Sequence, residues 1–454
     1  MAGKQAGFQP DQMELERDVQ NELLEWRKKR HQTVLQVEGP RQVGKTHEIR
    51  KFAYGQYQQV IYVNLVRDEY GFEDMVTEHE LLERYCERAG LASFLDGPDT
   101  ILIIDEIQES REVYNAIRDI RERYACDIIV IGSYLARTVI SRDFFLPAGI
   151  AYMQMQPLSF REFCRSMGIE EMLLRLNPYG LSPKAEYEQM ENACEIYKRI
   201  GGYPEVVTTY LRTKDLPSCM DVLEDLVRTF TAESSRFFSN STALGIFREV
   251  YRGTMIQMAD EKKGTGKSWI ETVTDFVKDS VKEPVSRNEV RMASSWLLYS
   301  GIIGYCDLYN NGDVTDVISN RRAYFSDLGI ANYVSNLVTI SKDAREGLLT
   351  ENFAYTELNR LYRQPISRRT VRGDKPCFSV CGDYELDFVV VDQSDRRFGI
   401  EVKSSDNRAR SLAFYLEHGL VDYGIRAVPM RGGHGERMDT IPLYMVGVGF
   451  PYGK

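Results

Sequence analysis

Residues 34–48 read Val-Leu-Gln-Val-Glu-Gly-Pro-Arg-Gln-Val-Gly-Lys-Thr-His-Glu, an apolar run that breaks at Gly39 and resumes after Gly44 with helix formers. Gly39, Gly44, Lys45 and Thr46 have the spacing of a phosphate-binding loop, in which backbone N–H groups and a helix N-terminus close around the phosphates of a nucleotide. Glycine permits the turn and the close approach of backbone to ligand. Pro40, Arg41, Gln42 and Val43 complete the loop, Lys45 would reach the β- and γ-phosphates, and the Thr46 hydroxyl would hold Mg²⁺. ATP and Mg²⁺ are the expected cofactors.

Working outward, short apolar stretches alternate with longer amphipathic ones. The pattern predicts strands over 33–38, 59–65, 100–104, 127–132 and 150–155, and helices over 44–54, 76–90 and 110–124. This is an α/β pattern with a parallel sheet, since Ile101-Leu102-Ile103-Ile104 and Ile128-Ile129-Val130-Ile131 are apolar on both faces. Ahead of it, Leu15, Val19, Leu23 and Trp26 at helical spacing predict an amphipathic helix from about Asp11 to Arg30, packed on the first domain. Its Arg27-Lys28-Lys29-Arg30 run suits the negative end of a helix dipole.

A nucleotide hydrolase needs an acid near Mg²⁺ and a base for the attacking water. Ile101-Leu102-Ile103-Ile104-Asp105-Glu106 ends a strand with both: Asp105 for the metal, Glu106 for the water. The next strand ends Ile131-Gly132-Ser133, placing a polar side chain where it can sense the γ-phosphate or simply form a turn. Arg137 and Arg142 are candidates for offsetting charge on the transferred phosphoryl group, in cis or across a contact between copies, and neither is singled out.

At 454 residues the chain exceeds one core. We divide it into an N-terminal helix and P-loop domain over 1–165, a helical lid over 166–240, a winged-helix-like region over 241–340 and a last domain over 341–454. In the second segment Gly201-Gly202-Tyr203-Pro204 interrupts the helical pattern, and in the third Asn310-Asn311-Gly312-Asp313 marks a tight turn after apolar segments. Gly264-Thr265-Gly266-Lys267-Ser268 mimics half a phosphate loop, but Glu261 stands where the first glycine belongs, so we read a surface loop.

A hydrophobic fraction of 43% and a charged fraction of 27% fit a globular protein, and no apolar run approaches bilayer length. No membrane partner is expected, and the polar N-terminus gives no secretory signal, so the expected location is cytoplasmic. Eight scattered cysteines without paired CxxC units argue for reduced core thiols; Cys377 and Cys381, the one close pair, lack a second pair or histidine to complete a zinc site. The net charge is −10, yet residues 345–454 carry 16 Lys and Arg against 15 Asp and Glu. Arg360, Arg363, Arg368, Arg369, Arg372 and Lys375 crowd together there, either a solvated loop or a patch for a DNA backbone.

The last domain adds a second set of acids. Leu348 to Phe353 opens a helix that puts Glu351 and Tyr355 on one face. Strands over Tyr384 to Val391 and Phe398 to Lys403 follow, then a helix over Ser411 to His418. Alternation aligns Glu385 with Asp387, and Glu401 with Lys403. Glu351, Asp387 and Glu401 could converge on a metal, with Asp387 and Glu401 as its ligands, leaving Lys403 to orient water or neutralise charge.

Together these stretches carry a resemblance. Glu38 to Thr46, Ile104 to Glu109, Gly132-Ser133-Tyr134-Leu135, Gln156 to Phe163 and Gly201 to Val207 resemble the prokaryotic AAA+-type ATPases whose N-terminal ATPase domain is joined to a helical and winged-helix region and a C-terminal nuclease-like domain of unknown function. The resemblance implies an AAA+-like strand order and a sensing role for Ser133. Asp387, Glu401, Val402 and Lys403, with Glu351 from the helix, are similar to the restriction-endonuclease-like pattern of an acid followed by acid-x-Lys. The fold expected is thus α/β, a P-loop sheet with a helical lid, a winged-helix-like region and a C-terminal α/β nuclease-like domain. Two functions stay open: an ATPase coupled to a DNA-binding, nuclease-like domain, or a slow ATP-dependent switch acting on a protein or nucleic-acid partner without cleavage. The lack of an assignable arginine finger points to a homo-oligomer or another partner that supplies one.

Overall fold

The computed structural model describes residues 14–28, 34–133, 150–235, 243–260, 269–282, 284–310, 313–315, 322–361, 366–367, 376–392, 395–405, 409–429 and 432–448. Contacts divide the chain into two units, Met1–Gln156 with Gln364–Thr370, and Pro157–Arg363 with Val371–Lys454.

In the first unit β1 (Val34–Glu38), β2 (Gln59–Asn64), β3 (Thr100–Asp105), β4 (Asp127–Ile131) and β5 (Ile150–Gln154) form a parallel sheet in the order β2-β3-β4-β1-β5. The short strand Ile366–Ser367 adds antiparallel to β5. Residues of β3 are buried along its whole length, as the doubly apolar run requires. Leu102, Ile104, Ile128 and Val130 share a core with Ile117 and Ile120 of the helix Arg111–Arg123. Pairing sets Asn64 beside Asp105, Asp105 beside Ile131, Val37 beside Ile131 and Glu38 beside Gln154. The carboxyl ends of the five strands are therefore level, the edge where α/β sheets bind ligands.

The N-terminal helix spans Val19–Lys28 and buries Val19, Leu23 and Trp26. Gln20 donates to the Glu48 carbonyl at 2.9 Å, and the Arg27 guanidinium lies 4.3 Å from the Tyr57 ring centre, so this helix packs on the helix Lys45–Gln56 as expected. One helix is shorter than its periodicity predicts: the pattern over 76–90 yields only Leu81–Arg88. Arg123 donates to the carbonyls of Val76, at 2.8 Å, and of Glu78, drawing into a tertiary contact the groups that an earlier helix start would use.

The second unit begins with the helices Phe160–Ser166, Glu170–Arg175, Lys184–Ile200, Pro204–Thr213 and Leu216–Ser235. Gly201 and Gly202 turn the chain between two of them where nothing larger fits. A Cβ would stand 2.3 Å from Asp327 Oδ1 at Gly201 and 2.1 Å from the Leu158 carbonyl oxygen at Gly202. Buried Asp327 accepts from Gly202 N at 2.7 Å and caps the helix Leu328–Ser335 through Ile330 N at 3.0 Å.

The helices Ala243–Asp260, Trp269–Ser280 and Arg287–Tyr299 precede a mixed sheet. From one edge its strands are Met438–Pro442, Tyr423–Val428, Arg397–Val402, Tyr384–Val391, Cys377–Cys381, Ile303–Asn310 and Asp313–Thr315, while Arg322–Phe325 pairs antiparallel with Ile303–Asn310. Asn310 and Asp313, on either side of the expected turn, are register partners in an antiparallel pair. Its first strand also runs parallel to Cys377–Cys381, with Cys377 beside Asp307, so strands from the region read as winged-helix-like continue the sheet of the last domain. The Gly264 to Ser268 stretch lies outside the described residues.

Candidate functional site

The loop after β1 holds three residues at positive φ: Gly39 at 144°, Gln42 at 62° and Gly44 at 90°. A Cβ at Gly39 would approach the Met155 carbonyl oxygen to 2.0 Å, so glycine is demanded by contact with the residue after β5 as well as by conformation. Val43 is buried, Gly44 caps the helix Lys45–Gln56, and Pro40 and Arg41 complete the turn. Arg17, itself buried, bridges the loop to the end of β5, donating to the Val43 carbonyl at 3.2 Å and to the Gln156 carbonyl at 2.7 Å. Nothing local in the sequence marks Arg17 for this role.

Lys45 is buried, and its ammonium donates to the carbonyls of Gly39 at 2.9 Å and Pro40 at 2.7 Å. Burial lowers its pKa to about 8; Glu106 and Asp105 pull the other way, and Arg41 adds to the lowering. Thr46 donates its hydroxyl proton to Asp105 Oδ2 at 2.8 Å. Tyr62 of β2 donates to the same oxygen at 2.7 Å, and the Glu106 backbone N–H to Oδ1 at 2.9 Å. Asp105 is thus buried and accepts three hydrogen bonds, which leaves acceptor capacity on its carboxylate. Asn64 donates to the Tyr62 hydroxyl at 3.4 Å, and Arg50 lies 5.0 Å from the Tyr62 ring centre. Burial, then Asp105, push the Tyr62 hydroxyl well up, so it remains a donor.

Glu106 follows in left-handed backbone at φ 55°, and buried Gln108 donates to its Oε2 at 2.5 Å. Ser133 lies half-buried two residues beyond β4, the strand between β3, which carries Asp105, and β1, which leads into the loop. The structure therefore brings Gly39 to Thr46, Asp105, Glu106 and Ser133 to one edge of one sheet. Arg137 and Arg142 lie outside the described residues. No local pattern marks Tyr62, because its contact with Asp105, 43 residues away in sequence, depends on the β2–β3 register that sets Tyr62 beside Ile103 and Asn64 beside Asp105.

Mg²⁺ favours one or two carboxylates plus phosphate oxygens and water over an all-protein cage. The donor set here fits that habit. A Thr46 hydroxyl whose proton is committed to Asp105 offers its lone pairs outward, and the buried Lys45 ammonium beside a helix N-terminus suits phosphate.

In the second unit Glu351 projects from the helix Lys342–Leu361 and accepts from the Tyr324 hydroxyl at 2.7 Å; Tyr324 stacks on Tyr355 with ring centres 4.5 Å apart. Asp387 accepts from Val402 N at 2.6 Å. Glu401, buried, pairs through Oε1 with Lys403 at 2.7 Å and accepts through Oε2 from Leu412 N at 2.9 Å, at the start of the helix Arg410–Glu417. Burial and the nearby Glu351 hold the Asp387 carboxyl well above the usual carboxylate range, and burial raises Glu351 as well. For Lys403 burial opposes its charge, but Asp387, Glu401 and Glu351 outweigh that and raise its pKa.

The four residues expected from the acid-x-Lys pattern thus lie in one group, with Lys403 feeling Asp387, Glu401 and Glu351. Arg322 and Glu385, paired at 2.5 Å, border them, and Tyr324 joins from the same strand as Arg322. Among the described residues, however, no three His, Cys, Asp or Glu side chains are grouped so as to hold a metal ion. Glu401 spends both oxygens on Lys403 and a helix N-terminus, so the set does not fit a metal as arranged. The basic run is also smaller than its sequence suggests. Arg360 is half-buried beside Glu357, 3.5 Å away, where it balances a buried carboxylate. Arg363, Arg368, Arg369, Arg372 and Lys375 lie outside the described residues.

Residues 31–164 match the family model of the AAA domain, and residues 192–341 match that of a Domain of unknown function (DUF8612). With the parallel sheet and loop above, the first unit has the fold of a P-loop ATPase, and its residues 31–164 match the AAA domain. No curated protein matches the chain. Among solved structures, the chain is similar to the Walker-type ATPase PABY2304 of Pyrococcus abyssi, at 15% identity over 71% of this chain and 96% of that one, with a TM-score of 0.43. It is also similar to the ORC1 protein of Aeropyrum pernix in complex with DNA, at 14% identity over 67% and 86%, with a TM-score of 0.27. The Thermotoga maritima RuvB Holliday junction branch migration motor shares 13% identity over 64% and 89%, with a TM-score of 0.30. TM-scores this low carry nothing further to this chain. Among the described residues no helix is long and apolar enough to cross a membrane.

Proposed function

We propose that the chain binds ATP at Gly39 to Thr46 and hydrolyses it with Mg²⁺. The observation that carries the reading is the Thr46 hydroxyl donating to Asp105 at 2.8 Å beside the buried Lys45, which joins the loop and the acid into one phosphate-and-metal site. Lys45 exchanges its two loop carbonyls for phosphate oxygens, Asp105 keeps Thr46 in its ligating orientation, Glu106 takes the proton of the attacking water, and Ser133 senses the γ-phosphate. Bound Mg²⁺ neutralises phosphate charge as it develops. Phosphate release from ATP by the full chain, measured with and without DNA or RNA, tests this. Mg²⁺-dependent release supports it, release unaffected by nucleic acid argues against DNA as partner, and no release under any condition leaves only the binding-switch reading.

The low pKa of Lys45 gives the site a pH signature. A phosphate beside the ammonium raises its pKa again, so binding takes up a proton above pH 8, starting from the value of about 8 without phosphate. Affinity is therefore full below pH 8 and falls as pH rises above it, by up to about tenfold per unit. Titration with a fluorescent ATP analogue between about pH 7 and 9.5 should show this fall, and Lys45→Ala should bind weakly with a flat profile.

For the last domain we propose a restriction-endonuclease-like arrangement that engages DNA or a protein partner without cutting. Its support is the grouping of Glu351, Asp387, Glu401 and Lys403; the commitment of both Glu401 oxygens argues against cleavage. Lys403 is then a structural counter-ion. Lys403→Ala leaves neighbouring buried carboxylates uncompensated and should destabilise the fold by about 3 kcal/mol at pH 7, read by chemical denaturation. Supercoiled plasmid incubated with Mg²⁺ or Mn²⁺ should stay intact; nicking that Lys403→Ala abolishes would establish cleavage instead.

A further inference from the structure

Among the residues around the proposed nucleotide site, one hydroxyl from a neighbouring strand holds the metal-binding acid in place. We infer that Tyr62 is a positioning residue that couples Mg²⁺ to nucleotide binding by fixing the carboxylate of Asp105; this rests on the ATPase reading above. Asp105 Oδ2 accepts from two hydroxyls, Thr46 at 2.8 Å and Tyr62 at 2.7 Å, while Oδ1 accepts from the Glu106 backbone at 2.9 Å. Three donors on two oxygens leave the carboxylate one orientation.

Each donor has a different consequence. The Thr46 proton must point at Asp105 for its lone pairs to face a cation, so whatever stops Asp105 from turning also keeps Thr46 ready to ligate. Tyr62 does this from the neighbouring strand, where Asn64 and Asp105 are register partners and the chain cannot slide. Tyr62 is itself held: Asn64 donates to its oxygen at 3.4 Å, which leaves its proton for Asp105, and Arg50 packs over its ring at 5.0 Å. Asn64 is fixed in turn by accepting from Val66 N at 3.1 Å and Arg67 N at 3.2 Å. The relay runs from a turn after β2, through two side chains, to the metal-binding acid. A charge-assisted hydrogen bond from a half-buried hydroxyl to a buried carboxylate is stronger than a neutral one, so its loss is large enough to measure.

Tyr62→Phe removes the hydroxyl and keeps the ring that Arg50 covers. The quantity to measure is the ratio of ATP dissociation constants in EDTA and in Mg²⁺, obtained with a fluorescent ATP analogue on the full chain. In the wild type Mg²⁺ tightens binding; in Tyr62→Phe this tightening should shrink by about tenfold, with affinity in EDTA unchanged. Asn64→Ala, which loosens Tyr62 without touching Asp105, should move the ratio in the same direction by less. A ratio equal to wild type in both variants overturns the inference, as does an equal loss of affinity in EDTA and Mg²⁺, which marks a merely structural tyrosine. Should the wild type itself bind no ATP, or bind it without regard to Mg²⁺, the ATPase reading fails and Tyr62 is not the cause.

Discussion

Lys45→Ala should lower kcat/KM for ATP hydrolysis by about a thousandfold, the scale set by removing a preorganised charge from a phosphoryl-transfer site. The ammonium is held inside the loop on two carbonyls, at 2.9 and 2.7 Å, and has only to exchange these for phosphate oxygens when nucleotide arrives. Arginine is no substitute, because a planar fork of five donors cannot occupy a place cut for one compact ammonium. Burial of the amine also decides how its loss acts on stability. Burial holds Lys45 at about 8, below its ordinary 10.5, so near pH 7 its charge is a cost that the folded state bears. Sign follows from linkage: the unfolded chain binds this proton more tightly, and stability on this account rises with pH between about 8 and 10.5. Removing the amine relieves that cost while leaving two carbonyls without their donor, and the two effects oppose. The thermal midpoint of nucleotide-free Lys45→Ala should therefore stay within a few degrees of wild type. Unchanged phosphate release in this variant would sink the ATPase assignment outright.

What could be read from the sequence, and what could not, separates by how each residue is placed. The phosphate loop is contiguous: Gly39, Gly44, Lys45 and Thr46 carry their chemistry within one strand-to-helix turn, and their spacing alone states it. Asp105 and Glu106 end a strand apolar on both faces, which announces a buried parallel position and so a partner for the loop. Tyr62 and Arg17 belong to another class. Tyr62 acts across a strand pair, and Arg17 bonds 26 and 139 residues away, so no local pattern marks either of them. The helix expected from Val76 failed for the same reason, since Arg123 takes the carbonyls of Val76 and Glu78 from 47 and 45 residues away. In the second unit, alternation correctly paired Glu401 with Lys403, at 2.7 Å. It could not show that the other Glu401 oxygen caps a helix through Leu412, nor that Arg322 and Tyr324 arrive from a strand before the last domain. Those contacts depend on how Ile303–Asn310 enters the sheet, a matter of topology rather than of local pattern.

Glu106→Gln should separate binding from hydrolysis: ATP affinity close to wild type, turnover lower by about a hundred- to ten-thousandfold, the range for losing a general base. The substitution is close to isosteric and keeps an acceptor for Gln108, which donates to Glu106 Oε2 at 2.5 Å, so the side chain can stay where it is. What disappears is the negative charge able to take a proton. Glu106 also holds left-handed backbone at φ 55°, a conformation costing about 1 kcal/mol or more for a residue with a side chain. The backbone N–H of this same residue donates to Asp105 Oδ1 at 2.9 Å, so the strained turn serves both acids at once, orienting one and presenting the other. That predicts a contrast between two amides of similar shape. Asp105→Asn puts an N–H where Thr46 and Tyr62 both donate, disturbing the metal side of the site, so the tightening of ATP binding by Mg²⁺ should weaken. Glu106→Gln leaves that tightening intact and stops the chemistry. Single-turnover hydrolysis and nucleotide titration on the two variants distinguish them, and turnover surviving in Glu106→Gln would move the water-activating role to another residue.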